Sequence, residues 1–290
     1  MRKSAHGYCD FHTHSTFSDG TYTPTALIAA AKESGLSAVA LTDHNNMGGL
    51  AEFTAAGALA GIEAIPGIEL STDHALGELH IVGLFVYPAH YGAIKEALAE
   101  LSRLKTESNI ALCKALTAAG YPVSYDKIIA KTPNGHINRV HIAAALCEGG
   151  YVGSVDEAFS GILSKEHGFY KPPRRPDAIK TIRLLHKIGV VSVLAHPLLS
   201  LGEASLRTVL ADAVPAGLDA METRYSTYTE EESATAARLA REFSLLESGG
   251  SDFHGDRKPD IALGRGRGDL SVPISFLAVL KERAQAFKNS

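Results

Sequence analysis

The sequence predicts an α/β protein whose strands form a parallel sheet that closes into a barrel, with one mostly helical insertion. Three observations lead to this prediction. Short apolar segments of strand length alternate with helical segments along most of the 290 residues. Polar residues, many of them histidines, follow these apolar segments. The alternation stops between residues 93 and 173, and a chain of this length accommodates one barrel-sized domain with a modest insertion.

The first half of the chain contributes the first strands and helices. Thr23 followed by Pro24 is typical of a helix start, and Gly35 of a helix end. The pattern predicts strands at 7–14, 37–42, 62–70 and 79–86, with helices at 24–35 and 49–60 between the earlier ones.

The second half repeats the alternation. We expect strands at 190–195, 218–223 and 244–247, separated by helices at 177–187, 206–214 and 230–243, with a closing helix at 273–288. So many alternating elements imply a closed parallel sheet. The barrel domain is therefore predicted to comprise residues 1–92 and 174–290.

The insertion, residues 93–173, is predicted to be a helical cap domain. Its clearest helices are expected at 94–119 and 140–149. We expect it to pack over one end of the barrel.

Composition excludes several classes of protein. The net charge of −4 argues against a protein that coats DNA. No apolar run is long enough to span a bilayer, and the first residues lack the apolar core of a signal peptide. The three cysteines are too few and too far apart for a disulfide framework. We therefore expect a cytoplasmic protein with neither DNA nor membrane as a partner.

Histidines and carboxylates cluster at the ends of the predicted strands. Taken singly, each is more often a hydrogen-bonded or solvated residue than a ligand. Their recurrence at equivalent positions indicates a metal site, because unpaired polar groups gathered together without metal are costly. The candidate ligands are His12, His14, Asp19, His44, Glu69, His80, His196, Asp252 and His254.

The types of donor atom restrict which metal ions are expected to bind. Nitrogen and oxygen donors without cysteine suit Mn, Fe or Zn. Nine candidates exceed the needs of one ion, so we expect two or three divalent ions.

Alternation along the first strand points Asp10 the same way as His12 and His14, so we expect Asp10 to orient one imidazole. His80, at the start of its strand, fits the pattern least well. Asp43 is a candidate for a supporting role or a substrate contact, and the role of Glu222, at another strand end, stays open.

The motifs resemble those of the PHP (polymerase and histidinol phosphatase) family over nearly the whole chain and in the same order. They are DFHTHS at 10–15, SDG at 18–20, LTDH at 41–44, GIE at 67–69, HIVGL at 80–84, AHP at 195–197 and GSDFH at 250–254. The resemblance implies a distorted (β/α)7 TIM-like barrel and a metal-dependent phosphoesterase. Among family members, the chain is most similar to stand-alone enzymes with a helical insertion, which include nucleotide phosphatases and 5′-to-3′ exoribonucleases of the RNase AM kind.

The resemblance also implies roles for the candidate ligands. A first ion would be held by His12, His14, Glu69 and Asp252. A second would be held by bridging Glu69 with His80 and His196, and a third by Asp19, His44 and His254. A hydroxide bridging the ions held by Glu69 and Asp252 would be the nucleophile. Some relatives carry His where this chain has Asp19, so the third position has a harder oxygen donor here.

Residues of the insertion are expected to bind the substrate. The resemblance places Arg139 and His141 at the substrate phosphate, and the Arg guanidinium can grip two phosphate oxygens as a fork. Both reach one phosphate only if Arg139 lies at the very start of its helix, since positions i and i+2 diverge within a helix. Lys171, Arg174 and Arg175 form a basic loop suited to a second phosphate or to short RNA.

The leading hypothesis is therefore hydrolysis of a phosphate monoester of a small substrate, with a nucleotide (AMP or a 3′,5′-bisphosphate nucleotide) as the first candidate. The alternatives are a 5′-to-3′ exoribonuclease acting on short RNA, a histidinol-phosphate phosphatase, an amidohydrolase, and a metal-binding protein without turnover. Amidohydrolases also begin with His-x-His but usually bridge their metals with a carboxylated Lys. Here the equivalent strand end carries Glu69.

Overall fold

The computed structural model describes residues 7–132 and 137–289. The chain divides into two compact units. The barrel unit comprises Met1–Ile94 and Pro176–Ser290, and the helical unit comprises Lys95–Arg175.

One eight-stranded sheet forms the barrel unit. Its strands are β1 (Tyr8–Asp10), β2 (Leu36–Leu41), β3 (Glu63–His74), β4 (Gly77–Leu84), β5 (Val191–Ala195), β6 (Ala220–Tyr225), β7 (Leu246–Gly250) and β8 (Val272–Pro273). They lie in the order β7-β6-β5-β4-β3-β2-β1-β8. The Phe11 N–H donates to the Gly249 carbonyl at 3.1 Å, and the Asp252 N–H donates to the His12 carbonyl at 2.8 Å. These bonds bring the chain after β1 alongside β7 and nearly close the sheet, so the α/β barrel class is confirmed.

The prediction of a wholly parallel sheet is wrong for two strands. β4 runs antiparallel to both β3 and β5, and β8 runs antiparallel to β1. Only Ala75 and Leu76 separate the paired residues His74 and Gly77. A parallel connection needs a crossover of about a dozen residues or more, so the short connection forces a hairpin.

The helices surround the sheet or build the helical unit. They are α1 (Pro24–Glu33), α2 (Leu50–Ala60), α3 (Tyr91–Ala118), α4 (Tyr125–Lys131), α5 (Arg139–Glu148), α6 (Val155–Ser160), α7 (Ala178–Ile188), α8 (Glu203–Ala213), α9 (Glu230–Glu242) and α10 (Ile274–Lys288). Thr23 caps α1 by accepting from the Ala26 N–H, and Asp177 caps α7 by accepting from the Lys180 N–H. Helix α4 and helix α6 were not predicted.

Each unit has its own apolar core. The barrel core includes Phe11, Val82 and Val193, and α10 closes one side of it with Leu277 and Leu280. The helical unit packs α3, α5 and α6 around a second core, which contains Leu112, Leu116, Ile142, Leu146 and Ala158. Burying each large aliphatic side chain contributes about 1.5–3 kcal/mol, so each unit has the means to hold its elements in place.

Some strand boundaries also differ from the predictions. The predicted strand 7–14 ends at Asp10, so His12 and His14 lie beyond it. The predicted strand 244–247 lies instead at Leu246–Gly250. Over the described ranges, no helix is at once long enough and apolar enough to cross a membrane.

Candidate metal centre

All nine candidate ligands lie at one end of the barrel. His12 and His14 follow β1, with Asp19 in the loop beyond them. His44 follows β2, Glu69 lies within β3, and His196 follows β5. Asp252 and His254 follow β7. This end is where the parallel strands terminate, as it is in other α/β barrels.

His80 reaches the same end because β4 is antiparallel. It lies opposite Ser71 of β3 on one side and Ala195 of β5 on the other. The start of β4 therefore lies beside the ends of its neighbours. The His80 Nδ1 atom is 2.7 Å from the Glu69 Oε1 atom.

The Glu69 carboxylate is surrounded by five histidines and is only 1% exposed. Its Oε2 atom is 2.9 Å from His44 Nδ1 and 3.3 Å from the Nε2 atoms of both His12 and His14. Its Oε1 atom is 2.7 Å from His80 Nδ1 and 3.2 Å from His196 Nε2. The two oxygens thus face two different groups of imidazoles.

Asp252 and Asp19 extend the cluster away from Glu69. The Asp252 Oδ1 atom is 3.1 Å from His14 Nε2 and 3.6 Å from His12 Nε2. The Asp19 Oδ1 atom is 3.3 Å from His254 Nε2 and 3.9 Å from His14 Nδ1, while Asp19 Oδ2 is 3.9 Å from His44 Nε2. His14 therefore lies near both Glu69 and Asp19, although the resemblance assigned it to the first ion alone.

Among the described residues, three groups of side chains could each hold a metal ion. Within each group, the ligand atoms all lie within 4.8 Å of one another. The groups are His12 with His14 and Glu69; His44 with Glu69 and His80; and His14 with Asp19, His44 and His254.

Several buried atoms of the cluster make no hydrogen bond within the described part of the chain. They are His12 Nε2, His14 Nε2, Asp19 Oδ1, His44 Nδ1 and Glu69 Oε2. Each such buried atom costs about 1–3 kcal/mol when left unsatisfied. A divalent cation accepts electron pairs from imidazole nitrogen and carboxylate oxygen alike, so these atoms fit a metal site.

The electrostatics of the cluster favour a cation. Burial alone would raise the pKa of Glu69, but His44 and His12 hold it well below its usual range. Burial, together with the neighbouring His254 and His44, lowers the pKa of His14 to about 3. Glu69 is thus a buried anion and His14 a neutral imidazole, the protonation states that a metal requires. Glu69 raises the pKa values of His12, His44 and His80 despite their burial, so these rings release protons when a metal binds.

Asp10 supports the cluster through the backbone and not through an imidazole ring. Its carboxylate accepts hydrogen bonds from the backbone N–H groups of His12, Ser251 and Gly264 and from the Ser251 hydroxyl. Asp10 therefore ties three backbone segments together and orients no imidazole. The side-chain alternation of a strand does not extend from Asp10 to His12, since β1 ends at Asp10.

Asp43 supports the loop that leads to Asp19. It accepts from the Ser15 N–H at 2.7 Å and from the hydroxyls of Ser15 and Ser18 at 2.6 Å. It is nearly fully buried, so it stabilises the loop from within.

Three side chains contact the cluster although the sequence did not predict these contacts. Glu222 accepts from His12 Nδ1 at 2.9 Å. The Tyr225 hydroxyl donates to Asp252 Oδ2 at 2.8 Å, and the Lys258 ammonium lies 2.6 Å from the same oxygen. The position of Glu222 at a strand end was a partial signal, whereas nothing in the local sequence singled out Tyr225 or Lys258.

In the helical unit, Arg139 is the first residue of α5. Its guanidinium carbon lies 4.3 Å from the centre of the Tyr170 ring and 5.4 Å from that of Phe159. The His141 Nδ1 atom accepts a hydrogen bond from the Asn138 N–H at 2.9 Å. Since Nδ1 is an acceptor, the neutral His141 ring carries its proton on Nε2.

The predicted basic loop lies in a segment without helix or strand. Lys171 and Arg174 are exposed, and Arg175 is half-buried. The Ser108 hydroxyl of α3 donates to the Lys171 carbonyl. The segment therefore presents cationic side chains from a backbone anchored within its own unit.

Comparison with known proteins identifies relatives over most of the chain. The PHP domain family matches residues 10–164. A 5′-3′ exoribonuclease of Haemophilus influenzae is 32% identical over 84% of this chain and 89% of its own length. A 3′,5′-nucleoside bisphosphate phosphatase of Chromobacterium violaceum is 30% identical over 84% of this chain and 86% of its own length.

One solved structure is similar over nearly the whole chain. It is a protein of Bifidobacterium adolescentis assigned as a metal-dependent phosphoesterase, with a TM-score of 0.82, 28% sequence identity and 96% of each chain covered.

Proposed function

The chain belongs to the PHP domain family and is a metal-dependent phosphoesterase, and from this premise we propose that it removes a phosphate from a small nucleotide, either AMP or a 3′,5′-bisphosphate nucleotide. The observation that carries the proposal is the buried Glu69 carboxylate with five imidazoles around its two oxygens. The relative from Chromobacterium violaceum acts on a substrate of this class.

We assign the nine side chains to two or three divalent ions, Mn, Fe or Zn. The first position uses His12, His14, Glu69 and Asp252; the second uses Glu69, His80 and His196; the third uses Asp19, His44 and His254, with His14 close by. Bound divalent ions supply an acidified water as nucleophile and neutralise charge that develops on the phosphoryl oxygens. His254 Nδ1 contacts the Asp252 carbonyl at 2.8 Å, which directs Nε2 towards Asp19 and the third position.

Arg139 and His141 are the proposed phosphate-binding pair. Arg139 and His141 are the first and third residues of α5, so their side chains diverge, and a phosphate bound by both would have to lie beyond the N-terminal end of that helix. Stacking on Tyr170 holds the guanidinium plane while leaving its edge able to donate two parallel hydrogen bonds. His141 adds an Nε2–H donor.

The basic loop favours substrates with more than one phosphate. Lys171 and Arg174 offer two exposed cations, with Arg175 beside them. A 3′,5′-bisphosphate or the 5′ end of a short RNA carries a second phosphate, which a monophosphate lacks. The similarity to an exoribonuclease makes 5′-to-3′ degradation of short RNA the second candidate function.

The test is phosphate release by the Mn-loaded protein. AMP, a 3′,5′-bisphosphate nucleotide, histidinol phosphate and a short 5′-phosphorylated RNA are compared under identical conditions. We expect the bisphosphate or AMP to be hydrolysed fastest. Preference for RNA supports the exoribonuclease, while release from histidinol phosphate alone contradicts the nucleotide proposal. No release from any of the four contradicts the assignment of this site, and an amide or lactone panel then tests an amidohydrolase.

A further inference from the structure

Glu222 is a buried carboxylate on β6 that none of the three proposed ion positions uses. Its side chain is 1% exposed. Its Oε1 atom accepts from His12 Nδ1 at 2.9 Å, and its Oε2 atom accepts from the backbone N–H of His196 at 2.6 Å. Each oxygen therefore holds a different histidine.

The contact with His12 fixes the tautomer of that ring. In the neutral ring that binds a metal, Nδ1 carries the hydrogen that Glu222 accepts, so the lone pair lies on Nε2. That atom is 3.3 Å from Glu69 Oε2 and makes no hydrogen bond. Glu222 thus presents His12 as a ligand for the first position.

The contact with His196 acts through the backbone. His196 has φ of +31°, in the left-handed region that non-glycine residues rarely adopt. Such a conformation persists only when surrounding contacts enforce it. The bond from its N–H to a buried carboxylate is such a contact, and it leaves the ring with Nε2 3.2 Å from Glu69 Oε1.

We propose that Glu222 is a positioning residue that couples the first and second ion positions. It holds His12 for one and His196 for the other, and Glu69 contacts both histidines. Loss of Glu222 therefore weakens both positions together, whereas loss of a single histidine acts first on its own position. This inference rests on the proposed metal centre.

The test uses Glu222→Gln, which keeps the volume of the side chain but replaces one acceptor oxygen by an NH₂ donor. The amide satisfies only one of the two N–H groups. If its NH₂ faces His12, the ring adopts the other tautomer and its Nε2 carries a hydrogen. We expect Mn²⁺ affinity at both positions to fall by about 10–100-fold, the usual effect of removing a carboxylate that orients a metal-bound histidine.

Calorimetric titration of the metal-free protein with Mn²⁺ measures the affinities, and ¹⁵N NMR of the metal-free protein reports the His12 tautomer. Glu247→Gln is the matched control, since Glu247 lies on the neighbouring β7 and accepts from the Thr223 hydroxyl at 2.8 Å. The Mn²⁺ affinities of Glu247→Gln are expected to match those of the wild-type protein. Thermal unfolding of the metal-free variants checks the fold, and Glu222→Asp, too short to reach both partners, is a second variant with the same expected loss.

Wild-type affinity at both positions in Glu222→Gln and Glu222→Asp overturns the inference. Weakening of one position alone overturns the coupling. Failure of the wild-type protein to bind Mn²⁺ overturns the proposed metal centre instead, so the two failures are distinguishable.

Discussion

The barrel unit and the helical unit hold their candidate functional residues in opposite ways. In the barrel unit, His12, His14 and Glu69 are fully buried, and the Nε2 atoms of both histidines lie 3.3 Å from Glu69 Oε2. In the helical unit, Lys171 and Arg174 are exposed on a segment without helix or strand, and the Arg139 guanidinium lies over the Tyr170 ring.

This difference is consistent with a reaction centre in the barrel unit and with recognition of the substrate by the helical unit. Buried, mutually constrained ligands suit a reaction centre whose geometry must not vary. Exposed cations on a loop suit recognition of a mobile anion, where their contribution is smaller and is screened by salt. We therefore expect large effects from substitutions in the barrel cluster and graded effects from substitutions in the helical unit.

The largest expected effect comes from Glu69→Gln. The substitution removes the negative charge at the centre of five imidazoles, so Mn²⁺ affinity is expected to fall by more than about 100-fold, beyond the usual effect of an outer carboxylate. Metal content after dialysis and phosphate release are the measurements. Glu63→Gln is the control, because Glu63 lies on the same strand but pairs with Lys281 at 2.7 Å near the surface. Full metal content in Glu69→Gln would refute the assignment of Glu69.

Next in size is Arg139→Ala. Losing a charge-assisted contact with phosphate worth about 1.5–3 kcal/mol is expected to lower kcat/KM by roughly 10–100-fold. Metal content should not change, which separates this variant from Glu69→Gln. Arg139→Lys is expected to recover only part of the loss, since Lys cannot form the fork.

The control for Arg139 is Arg103→Ala, because Arg103 is exposed on α3 and pairs with Glu107 at 2.5 Å. An unchanged kcat/KM in Arg139→Ala would show that Arg139 does not bind the substrate phosphate.

Tyr225→Phe is expected to have a smaller effect on the barrel cluster. Phe cannot donate to Asp252 Oδ2, although Lys258 still contacts that oxygen. We expect Mn²⁺ affinity to fall by about tenfold, at the lower end for loss of an outer contact. Tyr8→Phe, at an exposed position on β1, is the comparison. An affinity equal to wild type would show that Lys258 alone orients Asp252.

The smallest expected effect is that of Lys171→Ala combined with Arg174→Ala. Exposed charge pairs are worth about 0.2–1 kcal/mol each, so KM for a bisphosphate should rise only severalfold, and less at high salt. KM for AMP should not change. Lys180→Ala, an exposed Lys on α7, provides the control. Equal effects on AMP and on the bisphosphate would contradict a role in reading the second phosphate.

The sequence predicted the cluster because most ligands follow apolar strands that are recognisable from their pattern. His80 fitted poorly, since its place depends on the direction of β4, and that direction follows from the tight turn at Ala75 and Leu76. The partners of Asp10 and Glu222 could not be predicted, because side-chain partners more than 200 positions apart depend on how the barrel closes. Stacking of Arg139 on Tyr170 depends likewise on tertiary packing within the helical unit.

The most direct test of the central claim is a crystal of the Mn-loaded protein measured at the manganese absorption edge. The account predicts at least two anomalous peaks within coordination distance of the Glu69 carboxylate, one beside His12 and His14 and one beside His80 and His196. Anomalous density absent from this cluster, in a preparation that hydrolyses a nucleotide, would contradict the claim that these buried residues form the reaction centre.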